Sequence, residues 1–164
     1  MKVEQSGYTT IELAVTLAIA SILTSLAVYS FADAIPRQQL KEASQNLVGQ
    51  LRLARQKAIA DGVNTTLSFQ PEQRQYDHPI LGKQILPNHV RFGTPVGVIK
   101  APNEGSTIPE DGISFNDNNA TFQPNGMISE LGTIYLHNTK EAVAIRVNRT
   151  GRIKLSRWNG NDWE

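Results

Sequence analysis

With 164 residues, 40% of them hydrophobic, the chain can hold one compact domain and one apolar segment, and it is too short to bury two sizeable cores. It contains no cysteine, which excludes a disulfide framework and thiolate metal sites. The formal net charge of +1 conceals an uneven distribution: Arg146, Arg149, Arg152, Lys154 and Arg157 follow one another with no acid between them, and the rest of the chain is mildly acidic.

Residues 1–7 form a short polar leader ending at Gly7, followed by Tyr8-Thr9-Thr10-Ile11-Glu12 and then by residues 13–32, twenty positions without a charge. That run is long enough to cross a hydrocarbon core of about 30 Å as a helix, and it predicts a transmembrane helix over 8–35. A secretory signal would have a shorter apolar region with its small-residue cleavage site behind it; here the small residue stands in front. Glu12, at the edge of the apolar block, is the anomaly, because a carboxylate there must lie near the headgroups or meet a cation. On the residues alone, a plain single-pass anchor with Glu12 at the interface is the alternative. Gly7, the aromatic Tyr8, the run Thr9-Thr10-Ile11 and Glu12 together resemble the type IV prepilin cleavage motif, with Tyr8 where Phe is more usual. The resemblance implies that a prepilin peptidase cuts after Gly7 and methylates the new amine of Tyr8. It further implies that this amine pairs with Glu12 of a neighbouring subunit inside the membrane, tying cleavage to assembly.

Beyond the apolar run, Ile35-Pro36 predicts a kink or loosening, since proline lacks the N–H donor and crowds the preceding turn. The pattern then becomes amphipathic over 36–62. Leu40, Ala43, Leu47, Leu51, Ala54 and Ala58 recur at spacings of three and four, with Arg37, Lys41, Glu42, Gln45, Arg52 and Arg55 mainly on other faces. Such a stripe needs a sheet to cover it. Asp61-Gly62 ends the helix, with Gly62 suited to a left-handed cap.

Residues 63–164 read as a β-rich head. Short strands are expected over 63–69, 90–92, 113–115 and 121–123, and turns at Asp77-His78-Pro79, Pro102-Asn103-Glu104-Gly105, Pro109-Glu110-Asp111-Gly112 and Pro124-Asn125-Gly126. Over 133–158 the residues Ile134, Leu136, Val143, Ile145, Val147, Ile153 and Leu155 alternate with polar neighbours, as in a sheet with one buried face. If Arg149-Thr150-Gly151 is a three-residue loop with Gly151 left-handed, Val147 faces Ile153 and Ile145 faces Leu155. A two-residue loop would set Val147 against Arg152 and mix the faces.

The stretch Leu51-Arg52-Leu53-Ala54-Arg55-Gln56-Lys57-Ala58-Ile59, the Phe122-Gln123-Pro124-Asn125-Gly126 turn and the closing Asn148-Arg149-Thr150-Gly151-Arg152-Ile153-Lys154 resemble the GspH/FimT family of minor pilins and pseudopilins. The resemblance implies an α+β, pilin-like fold, a long N-terminal helix whose second half packs on a head of antiparallel sheets. It also implies a subunit of a type IV pilus, or of the pseudopilus of type II secretion, held in the inner membrane with its head in the periplasm or outside. Other pilins or pseudopilins, the prepilin peptidase and the membrane would be its partners.

Catalytic chemistry finds no foothold. His78, His89 and His137 lie far apart without ligand spacing and read as loop or sheet-surface residues, and no phosphate loop or nucleophile elbow is present. Glu110, Asp111 and Asp117 read as a solvated loop, lacking the alternating ligands of a calcium loop. Neither a cofactor nor a metal is expected, and the chain is read as non-enzymatic. One binding function is weighed: in the three-residue-loop register Arg146 faces Lys154 and Asn148 faces Arg152 on the side away from the apolar residues. With Arg149 in the loop and Arg157 and Trp158 after the strand, this makes a cationic surface with an aromatic beside it, suited to sequence-independent contact with double-stranded DNA. DNA-uptake members of the FimT branch carry a Gly-Arg-x-Arg element, which here is Gly151-Arg152-Ile153-Lys154. The alternatives are a solvated basic face or one that docks an acidic neighbouring subunit, as in an export pseudopilin that binds no DNA.

Overall fold

The structure is a computed structural model that describes residues 9–98, 101 and 107–164, with only the backbone described over 26–33. A helix, α1 (Thr10–Asp61), is followed by β1 (Thr65–Gln70), β2 (Gln75–His78), β3 (Gly82–Ile85), β4 (Arg91–Phe92), β5 (Asn119–Phe122), β6 (Gly132–His137), β7 (Ala142–Val147) and β8 (Ile153–Arg157). Pro36 lies inside the helix, and the chain divides there into two compact units, Met1–Ile35 and Pro36–Glu164.

In the first unit α1 begins where it does because Thr9 caps it. The Glu12 N–H donates to Thr9 Oγ1 (3.3 Å), and the Glu12 carboxylate accepts from the Thr9 N–H (3.1 Å) and hydroxyl (3.0 Å), a reciprocal capping box that satisfies otherwise orphaned donors. From there to residue 25 every side chain is exposed, including Ile11, Leu13, Val15, Leu17, Ile19, Ile22 and Leu23. The hydroxyls of Thr16, Ser21, Thr24 and Ser25 all donate back to carbonyls three or four residues earlier, at 2.7 to 2.9 Å. Among the described residues no helix is long and apolar enough to cross a membrane; the expected span runs on through 26–33, whose side chains lie outside that description.

In the second unit the stripe foreseen on α1 is buried from Leu40 to Ala58. Gly62, at φ 67°, ends the helix in the left-handed region, which costs glycine nothing. Two antiparallel four-stranded sheets cover the stripe, in the orders β3-β2-β1-β5 and β4-β6-β7-β8. Helix and sheets share one core, in which Phe69 of β1 meets Tyr76, Phe92 and Phe115 at ring separations of 5.9, 6.1 and 6.4 Å and so joins the sheets. Burying each large apolar side chain contributes about 1.5–3 kcal/mol, so a handful of such residues decides whether the unit folds.

Several expectations change. Residues 113–115 form only a bridge, Ile113 to Ile134, continuing the edge position of β4 along β6. Asp77 and His78 belong to β2, and the turn is displaced to 79–81 because His78 Nδ1 accepts the N–H groups of both Ile80 and Leu81 at 3.1 Å. The expected turn at Pro102 to Gly105 lies outside the described residues, whereas Gly112 and Gly126 close theirs by donating to Pro109 and Gln123. The β6–β7 sheet is buried on both faces, since Thr133, Tyr135, Ala142 and Ala144 on the outer side are as hidden as Ile134 and Ile145. The last residues account for it: Trp158 bridges Trp163, Arg157 and Glu164 exchange backbone hydrogen bonds at 2.7 and 2.9 Å, and Trp163 packs on Tyr135.

Candidate functional site

Of the expected processing and assembly residues, Gly7 and Tyr8 lie outside the described residues, and Glu12 is exposed in the capping box of α1. Sequence reading placed Glu12 as an acid awaiting a cation and passed over the Thr-x-x-Glu spacing, which by itself signals a helix start.

The basic hairpin has the anticipated register. Val147 pairs with Ile153, Ile145 with Leu155 and Arg146 with Lys154, while Asn148 donates its N–H to the Arg152 carbonyl at 3.1 Å. Gly151 takes φ 73° and donates to Asn148 O, closing the three-residue loop. Asn148 Oδ1 accepts from Arg152 N and Thr150 Oγ1, which ties the two sides of the loop together. Arg149, Arg152 and Lys154 are exposed, and Arg146 is half-buried. The hairpin therefore brings Arg146 and Lys154 together on the outer face and Arg149 and Arg152 at the loop. It does not bring Arg157 to them: that residue lies within β8 and alternates in phase with Ile153 and Leu155. Trp158 is not a free stacking platform either, because its ring meets Trp163 edge-on at 5.4 Å.

A residue the sequence did not single out for this site anchors the loop. Arg55, expected on a solvent face of α1, is half-buried and donates from Nε to Gly126 O (2.8 Å) and from Nη2 to Thr150 O (3.3 Å). Helix, Pro124-Asn125-Gly126 turn and hairpin loop are thereby joined by one guanidinium. Beside it lies a groove of about 510 Å³ lined by Arg52, Arg55, Gln56 and Ile59 of α1 and by Gly151, Arg152 and Ile153. Among the described residues neither Arg52, Arg55 nor Arg152 pairs with a carboxylate.

Elsewhere polar groups are engaged in structure. Asp111 accepts from Ile113 N (3.1 Å) and Asn118 Nδ2 (2.9 Å), which organises its loop. His78, expected at a surface, is buried beneath α1. Its Nδ1 is occupied as an acceptor, so the hydrogen sits on Nε2 and is donated to the Gln50 carbonyl at 3.2 Å. Burial lowers its pKa from the ordinary 6.5, against a smaller opposing effect of the Gln50 hydrogen bond. The unfolded chain then binds the proton more readily below pH 6.5 than the folded one. Stability from this group is whole above that pH and falls as pH drops through it toward the depressed value. The urea midpoint of the Pro36–Glu164 unit should follow that course, and His78→Gln should flatten it. An unchanged pH slope in the variant would discharge His78 from the effect.

The sequence profile described as type II transport protein GspH matches residues 43–151. Two fimbrial proteins of Pseudomonas aeruginosa are 36% identical over 73 residues, 44% of this chain; the chain spans about half the length, 47%, of these curated relatives. Among solved structures, the type IV minor pilin FimU of Pseudomonas aeruginosa superposes with a TM-score of 0.54 at 14% identity, over 78% of this chain and 94% of that one. The minor pseudopilin EpsH from the type 2 secretion system of Vibrio cholerae gives 0.50 at 12% identity, over 71% and 95%. At such identities the likeness is one of fold.

Proposed function

We propose, on the premise that this chain belongs to the type II transport protein GspH family, that it is a minor pilin or pseudopilin, a structural subunit rather than an enzyme. The leader is cut after Gly7, the amine of Tyr8 is methylated, and α1 holds the chain in the inner membrane until it joins other pilins through the same helix. The observation that carries this reading is the condition of α1 before residue 26. Its large apolar side chains stand bare, Ile11 at 72% exposure, while the hydroxyls of Thr16, Ser21, Thr24 and Ser25 return their hydrogens to the helix's own backbone. Such a surface needs lipid or other apolar helices around it and asks no hydrogen bond of them. Mass spectrometry of membrane-extracted protein should find a mature chain beginning at methylated Tyr8, and Gly7→Ala should leave the precursor uncut. A mature chain beginning anywhere else sinks the reading.

A second, finer reading is that the head binds duplex DNA for uptake through a pilus. It is favoured by the exposure of Arg149, Arg152 and Lys154 and by Arg146 standing opposite Lys154, a like-charge pair that an anion would relieve. Changing Arg149, Arg152 and Lys154 together to Gln should abolish salt-sensitive binding while the fold persists. Binding that survives the triple change removes the hairpin from this role; a wild-type chain that binds no DNA leaves the export pseudopilin.

A further inference from the structure

We propose that the groove between α1 and the β7–β8 hairpin is the seat of a phosphodiester backbone, with Arg52 and Arg152 as contact residues and Arg55 positioning the groove. This rests on the DNA reading above and moves its centre from the outer sheet face to the helix. Four observations carry it. Guanidinium side chains from two separate parts of the fold, Arg52 and Arg55 of α1 and Arg152 of the loop that leads into β8, line one cavity. The cavity lining includes no carboxylate, and the helical neighbours of Arg52 three and four positions away are Val48, Gly49, Arg55 and Gln56, so nothing on its own face neutralises it. The site is also built rather than incidental. Arg55 is fixed by Gly126 O and Thr150 O with further N–H groups to spare, and a Cβ at Gly151 would collide with Gly126 O and lie 2.7 Å from Arg55 Nε. Only glycine permits that approach, and its left-handed φ demands glycine as well.

The fourth observation is chemical fit. At about 510 Å³ the groove exceeds a single oxyanion, and Ile59 and Ile153 line it beside the guanidinium groups. Planar guanidinium forks match phosphate oxygens in pairs. Arg149 and Lys154 add further exposed cations on the same hairpin, which suits a repeating anion better than an isolated carboxylate.

Binding of a fluorescein-labelled DNA duplex to the full chain in detergent, followed by anisotropy over a range of salt, is the test. Arg52 is exposed and makes no hydrogen bond that the fold needs, so Arg52→Gln should fold as the wild type does, checked by circular dichroism. The expected result is a loss of affinity of about 3-fold to 10-fold and a salt slope shallower by about 0.9, the signature of one lost phosphate contact. If Arg52→Gln binds like wild type while Arg149→Gln/Lys154→Gln loses binding, the groove is overturned and the hairpin reading stands. If the wild type binds no duplex, both fall together. If polyglutamate displaces the duplex at equal charge concentration, the phosphodiester assignment is overturned in favour of an acidic protein segment.

Discussion

Replacing Arg55 by Met should lower the unfolding free energy of the Pro36–Glu164 unit by about 1–3 kcal/mol, whereas Arg52→Met, an arginine on the same helix, should stay within about 0.5 kcal/mol. Methionine keeps the apolar stem and removes the donors. Two carbonyls then lose a charged partner, Gly126 O in a part-buried place and Thr150 O at an exposed one. Gly126 is buried and a Cβ there would meet Ile59 Cδ1 at 2.8 Å, so most of the loss falls on Gly126 O, while water from the adjoining groove can reach Thr150 O. The consequence is wider than one bond, because Ile128 N donates to Arg149 O beside the same loop and Gln123 and Gly126 bracket the end of β5. Urea denaturation decides it: equal midpoints for the two variants would mean that the loop and turn hold themselves, with Arg55 a passenger.

Arg55 also marks the boundary of what could be read from sequence. The apolar stripe from Leu40 to Ala58 was legible because a helix repeats every 3.6 residues and burial of that stripe dominates everything else on it. The hairpin register was legible because the period of two allows only one loop length that keeps apolar residues on one face. Arg55 was not, since periodicity assigns an arginine to solvent and carries no information about a carbonyl that approaches from 71 residues further along. The same holds for His78, whose position between a helix carbonyl and two turn amides depends on the pairing of β2 with β1 and β3. β2 and β3 themselves were missed, as Gln75, Lys83 and Gln84 offer little β-propensity and the strands form through their place in the sheet. The covered outer face of β6–β7 had a signal that alternation obscures. Ala142 and Ala144 stand where solvent-facing polar residues belong, and two tryptophans close the chain, small residues under large ones. Read that way, Trp158 belongs to a clasp before it belongs to any nucleic-acid surface.

Glu12→Gln should be cut after Gly7 as efficiently as the native sequence and yet be missing from sheared filaments. The carboxylate has two possible duties, and the substitution separates them. Within one chain it completes the Thr9 capping box, a role that a glutamine amide fills nearly as well, because its Oε1 can accept from the Thr9 N–H and hydroxyl just as the carboxylate does. Between chains it would meet the amine of Tyr8 on a neighbour, a role that requires charge. In an apolar surrounding, one of the two ions without the other is strongly unfavourable, so removing the charge penalises the neighbour's amine as well as losing the pair. Glu12→Ala removes both duties and should fail at least as completely. The informative outcome is a split: filaments that tolerate Gln but not Ala would assign Glu12 to starting its own helix, and the intersubunit pairing would have to be abandoned. Loss with both substitutions, alongside normal insertion and cleavage, leaves charge pairing between subunits as the step that fails. The same capping hydrogen bonds then have a second use, holding the carboxylate in place at the start of the helix before a partner arrives.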